Sequence, residues 1–214
     1  MLDRSSRRRA AVAAAIAVTA CSTAAISSRA RADATESQRI AEVLGLHEGV
    51  AVADVGGGRG KWTEELAGRV GATGHVYATE VEQDKVDDIA KRAKRAGLEN
   101  VTAILGDQDD TGLPAGCCDA ILLRLVYHHF QDPAKMRASL AAAMKPGARL
   151  VIVDTAPHDD WRRLSGVPDR GGHGISPADL VGEMTRGGFE LIEQHHDWPD
   201  EEANYCAVFQ KQSR

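Results

Sequence analysis

The stretch Ala51-Val52-Ala53-Asp54-Val55-Gly56-Gly57-Gly58-Arg59-Gly60 constrains this chain more than any other. An apolar run of strand length enters a turn with glycine at alternate positions, Gly56, Gly58 and Gly60, and a helical pattern follows from Lys61. Glycine admits positive φ and leaves bare backbone for a ligand to approach. With Asp54 ahead of them, these residues read D-x-G-x-G-x-G. The dinucleotide fingerprint G-x-G-x-x-G puts its third glycine one residue later, where this chain has Lys61. An acid inside the strand also suits a cationic or amino-bearing ligand better than a pyrophosphate.

The rest of the chain repeats the strand-then-helix pattern. Apolar runs at Val50–Val55, His75–Thr79, Val101–Leu105, Ala120–Leu125, Leu150–Asp154, Phe189–Gln194 and Tyr205–Gln210 read as seven strands. Between them lie helical stripes. Ile40, Val43 and Leu44 follow the capping spacing Thr35-x-x-Gln38. Glu82–Arg95 carries acids early and bases late, as a helix dipole prefers. Asp132-Pro133 opens a helix that stops by Lys145-Pro146-Gly147, and Ser176-Pro177 caps one that runs to Arg186. Such alternation predicts an α/β fold, a doubly wound and mostly parallel seven-stranded sheet. The last two strands sit too close for a crossover helix, so they form an antiparallel hairpin.

Charge divides the chain in two. Residues 1–32 hold six arginines and one aspartate, so the remainder carries ten more acids than bases. An acidic body argues against nucleic acid as a partner, which needs a basic face. Ser6-Arg7-Arg8-Arg9, the apolar run Ala10–Ala20 and the later Ala30-Arg31-Ala32 follow the order of a secretory signal. The paired arginines resemble a twin-arginine signal, and Val18-Thr19-Ala20-Cys21 resembles a lipoprotein box with an anchor at Cys21. The run is too short to span a bilayer. The expectation is a targeting segment at 1–32, a domain at 33–214, and export to a bacterial periplasm. Organelle targeting and a cytoplasmic location are the alternatives.

The glycine motif resembles motif I of the class I S-adenosylmethionine-dependent methyltransferases, and the order of elements agrees with their seven-stranded sheet. That resemblance implies a methyltransferase that uses S-adenosylmethionine on a small-molecule acceptor. It implies a cofactor site as well. Gly56, Gly58 and Gly60 form the loop, with Asp54 beneath it. Glu80, twenty residues past Gly60, would accept from both ribose hydroxyls, and Val81 would offer an apolar face to adenine. Asp107 and Gln108, after strand three, resemble the adenine-binding segment. Each acid also has a plainer reading, as a helix N-cap for Glu80 and a turn residue for Asp107. Arg124, the polar break in strand four, joins the cofactor set.

After strand four, Tyr127-His128-His129-Phe130 and Asp132-Pro133 resemble the segment beside the transferred methyl group in small-molecule methyltransferases. In-line displacement at a sulfonium asks the protein to align the nucleophile and, where needed, take its proton. His128 and His129 are therefore the catalytic candidates, although one histidine of such a pair usually packs or caps. Pro157–Ile175 is the longest irregular stretch and reads as a substrate cover. His173 within it is a further proton acceptor or, more commonly, an exposed loop residue.

Cys117, Cys118 and Cys206 form an odd set whose adjacent pair is too close for ordinary disulfide geometry. They read as buried thiols or, less often, as a soft-metal pair. His195 and His196 lack partners at metal-ligand spacing, so no metal is expected. Two rival classes remain: a nucleotide-dependent oxidoreductase, disfavoured by Lys61 and Asp54, and a cofactor-binding module without turnover.

Overall fold

The computed structural model describes residues 35–158, 166–199 and 204–212. The expected targeting segment, including Arg7, Arg8 and Cys21, lies outside the described residues. Residues 39–214 form one compact unit, and α1 denotes the part of a helix from residues 39 to 44 within it. Then come β1 (Ala51–Val55), α2 (Lys61–Val70), β2 (His75–Glu80), α3 (Gln83–Arg95), β3 (Val101–Leu105) and β4 (Cys118–Arg124). A 3-10 turn at Tyr127–His129 leads to α4 (Pro133–Ala143), β5 (Met144–Thr155), α5 (Pro177–Arg186), β6 (Phe189–His196) and β7 (Asn204–Lys211). No helix among the described residues is long and apolar enough to cross a membrane.

The seven strands lie in one sheet of order β3-β2-β1-β4-β5-β7-β6. The first five pair in parallel, and β7 runs antiparallel to both β5 and β6. The architecture is the expected one. The order reverses between β1 and β4, and the carboxyl ends flanking such a switch point are where open α/β sheets bind ligands.

Alternation along the central strands builds a core on each face. Ile121 and Leu123 of β4 join Leu150 and Ile152 of β5 beneath Leu140 of α4 and Leu180 of α5. Ala120, Leu122, Val151 and Val153 point the other way, against Ile40 and Leu44 of α1 and Leu66 and Val70 of α2. A strand buried on both faces needs the unbroken apolar run that these strands show.

Several boundaries differ from expectation, and two of them have a visible cause. β4 ends at Arg124 because Leu125 takes a left-handed conformation, φ 55°, which turns the chain out of the sheet. β5 starts at Met144, directly after α4, because Met144 pairs with Cys118 and is buried with Ala148. The cysteine expectation is corrected too. Cys117 and Cys118 close a vicinal disulfide, and Cys206 is a buried thiol outside it.

The α4 layer backs the sheet beneath the β4 exit. Leu140 is fully buried there. Leu140→Ala should therefore cost about 2–5 kcal/mol in urea unfolding, with an unchanged denaturant slope. A loss under about 1 kcal/mol would mean that α4 packs more loosely than described.

Candidate active site

The glycine loop is tied to the strand beside it. Gly56 N and Gly57 N both donate to Thr79 O, at 3.0 and 3.1 Å, and Gly58 N donates to Glu80 Oε1 at 2.7 Å. A Cβ on Gly56 would sit 2.6 Å from Val126 Cγ2, so the loop packs directly on the segment leaving β4. One on Gly60 would sit 3.2 Å from the Ile89 backbone, so a bare backbone there lets α2 start close against α3. Both glycines have φ near +75°, where a side chain is strained.

Between this loop and the ends of β2 and β3 lies a cleft of about 470 Å³, open mouth included. Of the residues expected at the site, Gly56, Glu80, Val81, Asp107, Gln108 and His129 line it. Val126, Phe130 and Met136 supply apolar wall. Asp54, Gly58, Gly60, Arg124 and His128 lie outside that lining. Arg124 stacks its guanidinium over Trp62, 4.9 Å from the ring centroid.

Asp54 is buried beneath the loop and accepts a hydrogen bond from Thr63 Oγ1 of α2 at 2.7 Å. Burial, reinforced by the nearby charge of Glu80, pushes its pKa up to about 6, against the opposing pull of the Thr63 bond and Arg124. Glu80 is half-buried and accepts from two backbone donors, Gly58 N at 2.7 Å and Val81 N at 3.1 Å. An ionised carboxylate offers about four lone-pair sites, so roughly two remain for a ligand diol. Asp107 is exposed, with Oδ1 accepting from Gln108 N at 2.7 Å.

The β4 exit meets the β5 exit beside the cleft. His128 Nδ1 lies 2.5 Å from Asp154 Oδ1, both side chains almost wholly buried. Asp154 also accepts from Thr155 N at 2.8 Å and His128 N at 3.3 Å. Asp154 is placed to accept from Nδ1–H, and in that tautomer a neutral ring keeps a lone pair at Nε2. His173 comes in from the far loop, where His158 N and His173 O are 3.1 Å apart and His173 N and His158 O 3.0 Å apart, an isolated antiparallel bridge. His173 Nε2 then lies 3.1 Å from His128 Nε2 and 3.3 Å from His129 Nε2. Burial, with the neighbouring imidazoles, lowers the His129 pKa to about 4 and moves that of His173 down as well.

Sequence reasoning missed Asp154, which read only as the end of a strand. The available signal was an acid at the carboxyl end of the strand next to the His128-His129 pair. His173 is half-buried against that pair, where an exposed loop residue was the commoner expectation. Residues 159–165, the middle of the expected substrate cover, lie outside the described residues. The stretch after them is tethered: Arg170 pairs with Glu183 of α5 at 2.9 Å, and Glu183 also accepts from Tyr127 Oη at 2.9 Å.

Residues 52–147 match a family model described as a methyltransferase domain. The fold is that of S-adenosylmethionine-dependent methyltransferases. One such structure, from Aquifex aeolicus, superposes with a TM-score of 0.68 at 23% identity, over 81% of this chain and 88% of that one. The cyclase SpnF superposes with a TM-score of 0.67 at 18% identity, over 83% and 81%. Among curated proteins, nocamycin O-methyltransferase of Saccharothrix syringae is 29% identical over 64% of this chain and 49% of its own length. Protein-L-isoaspartate O-methyltransferase of Methanothrix thermoacetophila is 32% identical over 52% and 50%. Demethylmenaquinone methyltransferase of Listeria welshimeri is 24% identical over 58% and 53%. This chain thus spans about half the length of the curated relatives it matches.

S-adenosylmethionine fits the residues present. The cleft pairs carboxylates, which accept from hydroxyls and amines, with an apolar wall suited to a purine face.

Asp54 makes stability depend on pH in a definite direction. Its folded pKa of about 6 lies above its ordinary value of 3.8, so between those values the folded state holds a proton that the unfolded chain has released. The Asp54 contribution to stability is therefore greatest below about pH 4 and is lost as pH rises through 6. Asp54→Asn keeps an acceptor for Thr63 and removes the proton. Relative to wild type, it should gain of order 2–3 kcal/mol between about pH 4 and 7 in urea unfolding. Parallel stability profiles for the two proteins would contradict the assignment.

Proposed function

We propose that this chain transfers a methyl group from S-adenosylmethionine to a small-molecule acceptor whose nucleophile bears a proton. The observation that carries the reading is the cleft itself. Glu80 and Asp107, at the ends of neighbouring strands, and His129, from the β4 exit, open onto one space beside the glycine loop. A carboxylate pair with an apolar wall suits a ribose and a purine. A histidine suits a hydroxyl-bearing acceptor.

When bound, the cofactor supplies a sulfonium methyl as the electrophile. The protein's share of the work is alignment and exclusion of water. The spare lone pairs of Glu80 hold the ribose diol. Asp107 and Gln108 hold the purine edge, and Val81 covers its face. His129 is unprotonated at neutral pH and accepts a hydrogen bond from the acceptor, aiming its oxygen lone pair at the methyl group. A base with a pKa near 4 removes a proton weakly at that pH, so His129 contributes mainly by orientation. Asp154 braces His128 behind it, and Arg170 and Glu183 hold the stretch after residue 165 against α5.

The names of the nocamycin and demethylmenaquinone enzymes favour a small acceptor, whereas that of the isoaspartate enzyme points to a protein. Two of the three names thus support the former. An exported location remains part of the proposal and rests on Arg7-Arg8-Arg9 and the Ala10–Ala20 run alone.

Titration calorimetry with S-adenosylmethionine tests the binding half. Glu80→Ala should weaken binding by about 1.5–3 kcal/mol, and Glu80→Gln by less. Equal affinity in Glu80→Ala and wild type would remove the ribose assignment. Release of demethylated cofactor against pools of hydroxylated small molecules tests the catalytic half. Tight binding with no turnover on any pool would favour the cofactor-binding module.

A further inference from the structure

We propose that His128, His129 and His173 form a binding site for one first-row divalent metal ion of the zinc class, braced by Asp154. The nitrogen geometry carries the site itself, and only the ligand of its open position rests on the methyl-transfer reading.

Three ring nitrogens converge here in a way that hydrogen bonding does not satisfy. A ring nitrogen presents one in-plane site, which holds either a proton or a lone pair. A neutral His128 that donates Nδ1–H to Asp154 offers only a lone pair at Nε2. If His173 Nε2 carries a proton, it can direct it at His128 or at His129 but not at both. If it carries a lone pair, it faces that of His128 across 3.1 Å. Either way one of the two contacts, 3.1 and 3.3 Å, lacks a hydrogen bond.

A metal ion uses the three lone pairs together. Ligating nitrogens about 2.0–2.1 Å from a tetrahedral ion stand roughly 3.3 Å apart, which matches the two observed separations. The three ligand atoms all lie within 4.8 Å of one another. The His128–Asp154 contact at 2.5 Å has the carboxylate–histidine form that orients a metal ligand and raises its basicity. Imidazole nitrogen as the only donor selects zinc, cobalt, nickel or copper over magnesium or calcium. His158 stands outside the set, although its ring centroid lies 5.4 Å from that of His173.

Three protein ligands leave a tetrahedral ion one open position. His129 forms part of the cleft wall, so an ion held there stands at the acceptor's side of the cleft. With its lone pair on the ion, His129 no longer accepts from the acceptor; the ligand class for the open position is an oxygen donor, such as a hydroxyl, enolate or carboxylate of the acceptor, which the ion orients instead.

The test uses the tag-free full chain, stripped with a chelator, desalted and titrated with Zn²⁺ in competition with a chromophoric chelator. The expected result is one equivalent of Zn²⁺ per chain. Co²⁺ in its place should give the intense visible bands of a tetrahedral site. His173→Ala and His129→Ala should each weaken Zn²⁺ binding by 100-fold or more, and Asp154→Asn by about 10–100-fold. Circular dichroism and S-adenosylmethionine titration of His173→Ala should match wild type, showing that its metal defect is local. The double variant His195→Ala/His196→Ala should keep the full equivalent. The proposal is overturned if wild type binds no stoichiometric Zn²⁺, if His173→Ala binds it as wild type does, or if the β6 double variant loses it. Any of these with cofactor affinity intact would leave the methyl-transfer reading standing.

Discussion

The pairing of β4 with β5 fixes what happens above it. Leu123 lies opposite Ile152 and Arg124 opposite Val153. β4 ends there while β5 runs two residues further beside β7, so the segment leaving β4 brings His128 onto Asp154. Parallel pairing with buried side chains on both faces tolerates no one-residue slip, since a slip would exchange the two cores. The same logic places Gly56 beside Glu80, because β1 and β2 advance in register from Ala51 opposite His75 to Val55 opposite Thr79. Two sets of polar groups thus share one end of the sheet as a consequence of apolar packing below them.

The fold was legible because its signals are local. Gly56, Gly58 and Gly60 mark the loop, and apolar runs of strand length alternate with helical stripes. Ser176 and Asp132 announce helix starts, and each side chain does accept from the backbone N–H three residues on. The cofactor cleft was legible for a related reason, since Gly56, Glu80, Val81, Asp107 and Gln108 sit at or just past strand ends. Leu125 was not, because nothing in a leucine announces φ 55°, yet that turn ends β4 and redirects the chain toward the histidines.

The histidine cluster was only half legible. His128 and His129 are adjacent in sequence, but Asp154 lies 26 residues from His128 and His173 lies 45. No short-range spacing encodes those contacts. They come from strand register in one case, and in the other from a two-residue bridge at the stem of a long loop. Gly172 and Gly174 make that stem feasible. A Cβ on Gly174 would lie 2.5 Å from Thr155 O, and one on Gly172 2.8 Å from His158 O. Ligand sets assembled from distant segments need tertiary structure before they can be read at all.

Fold alone does not decide chemistry, and the likeness to the cyclase SpnF beside methyltransferases makes the point within one architecture. The functional account depends on where a cofactor sits relative to Glu80 and His129. A crystal structure of the chain with S-adenosylhomocysteine, the demethylated cofactor, tests this most directly. The account predicts the ribose hydroxyls on the Glu80 carboxylate, the adenine between Val81 and the Asp107-Gln108 segment, and the sulfur turned toward His129. A ligand bound away from the β1 and β2 ends, or with its sulfur facing away from the histidines, would contradict it.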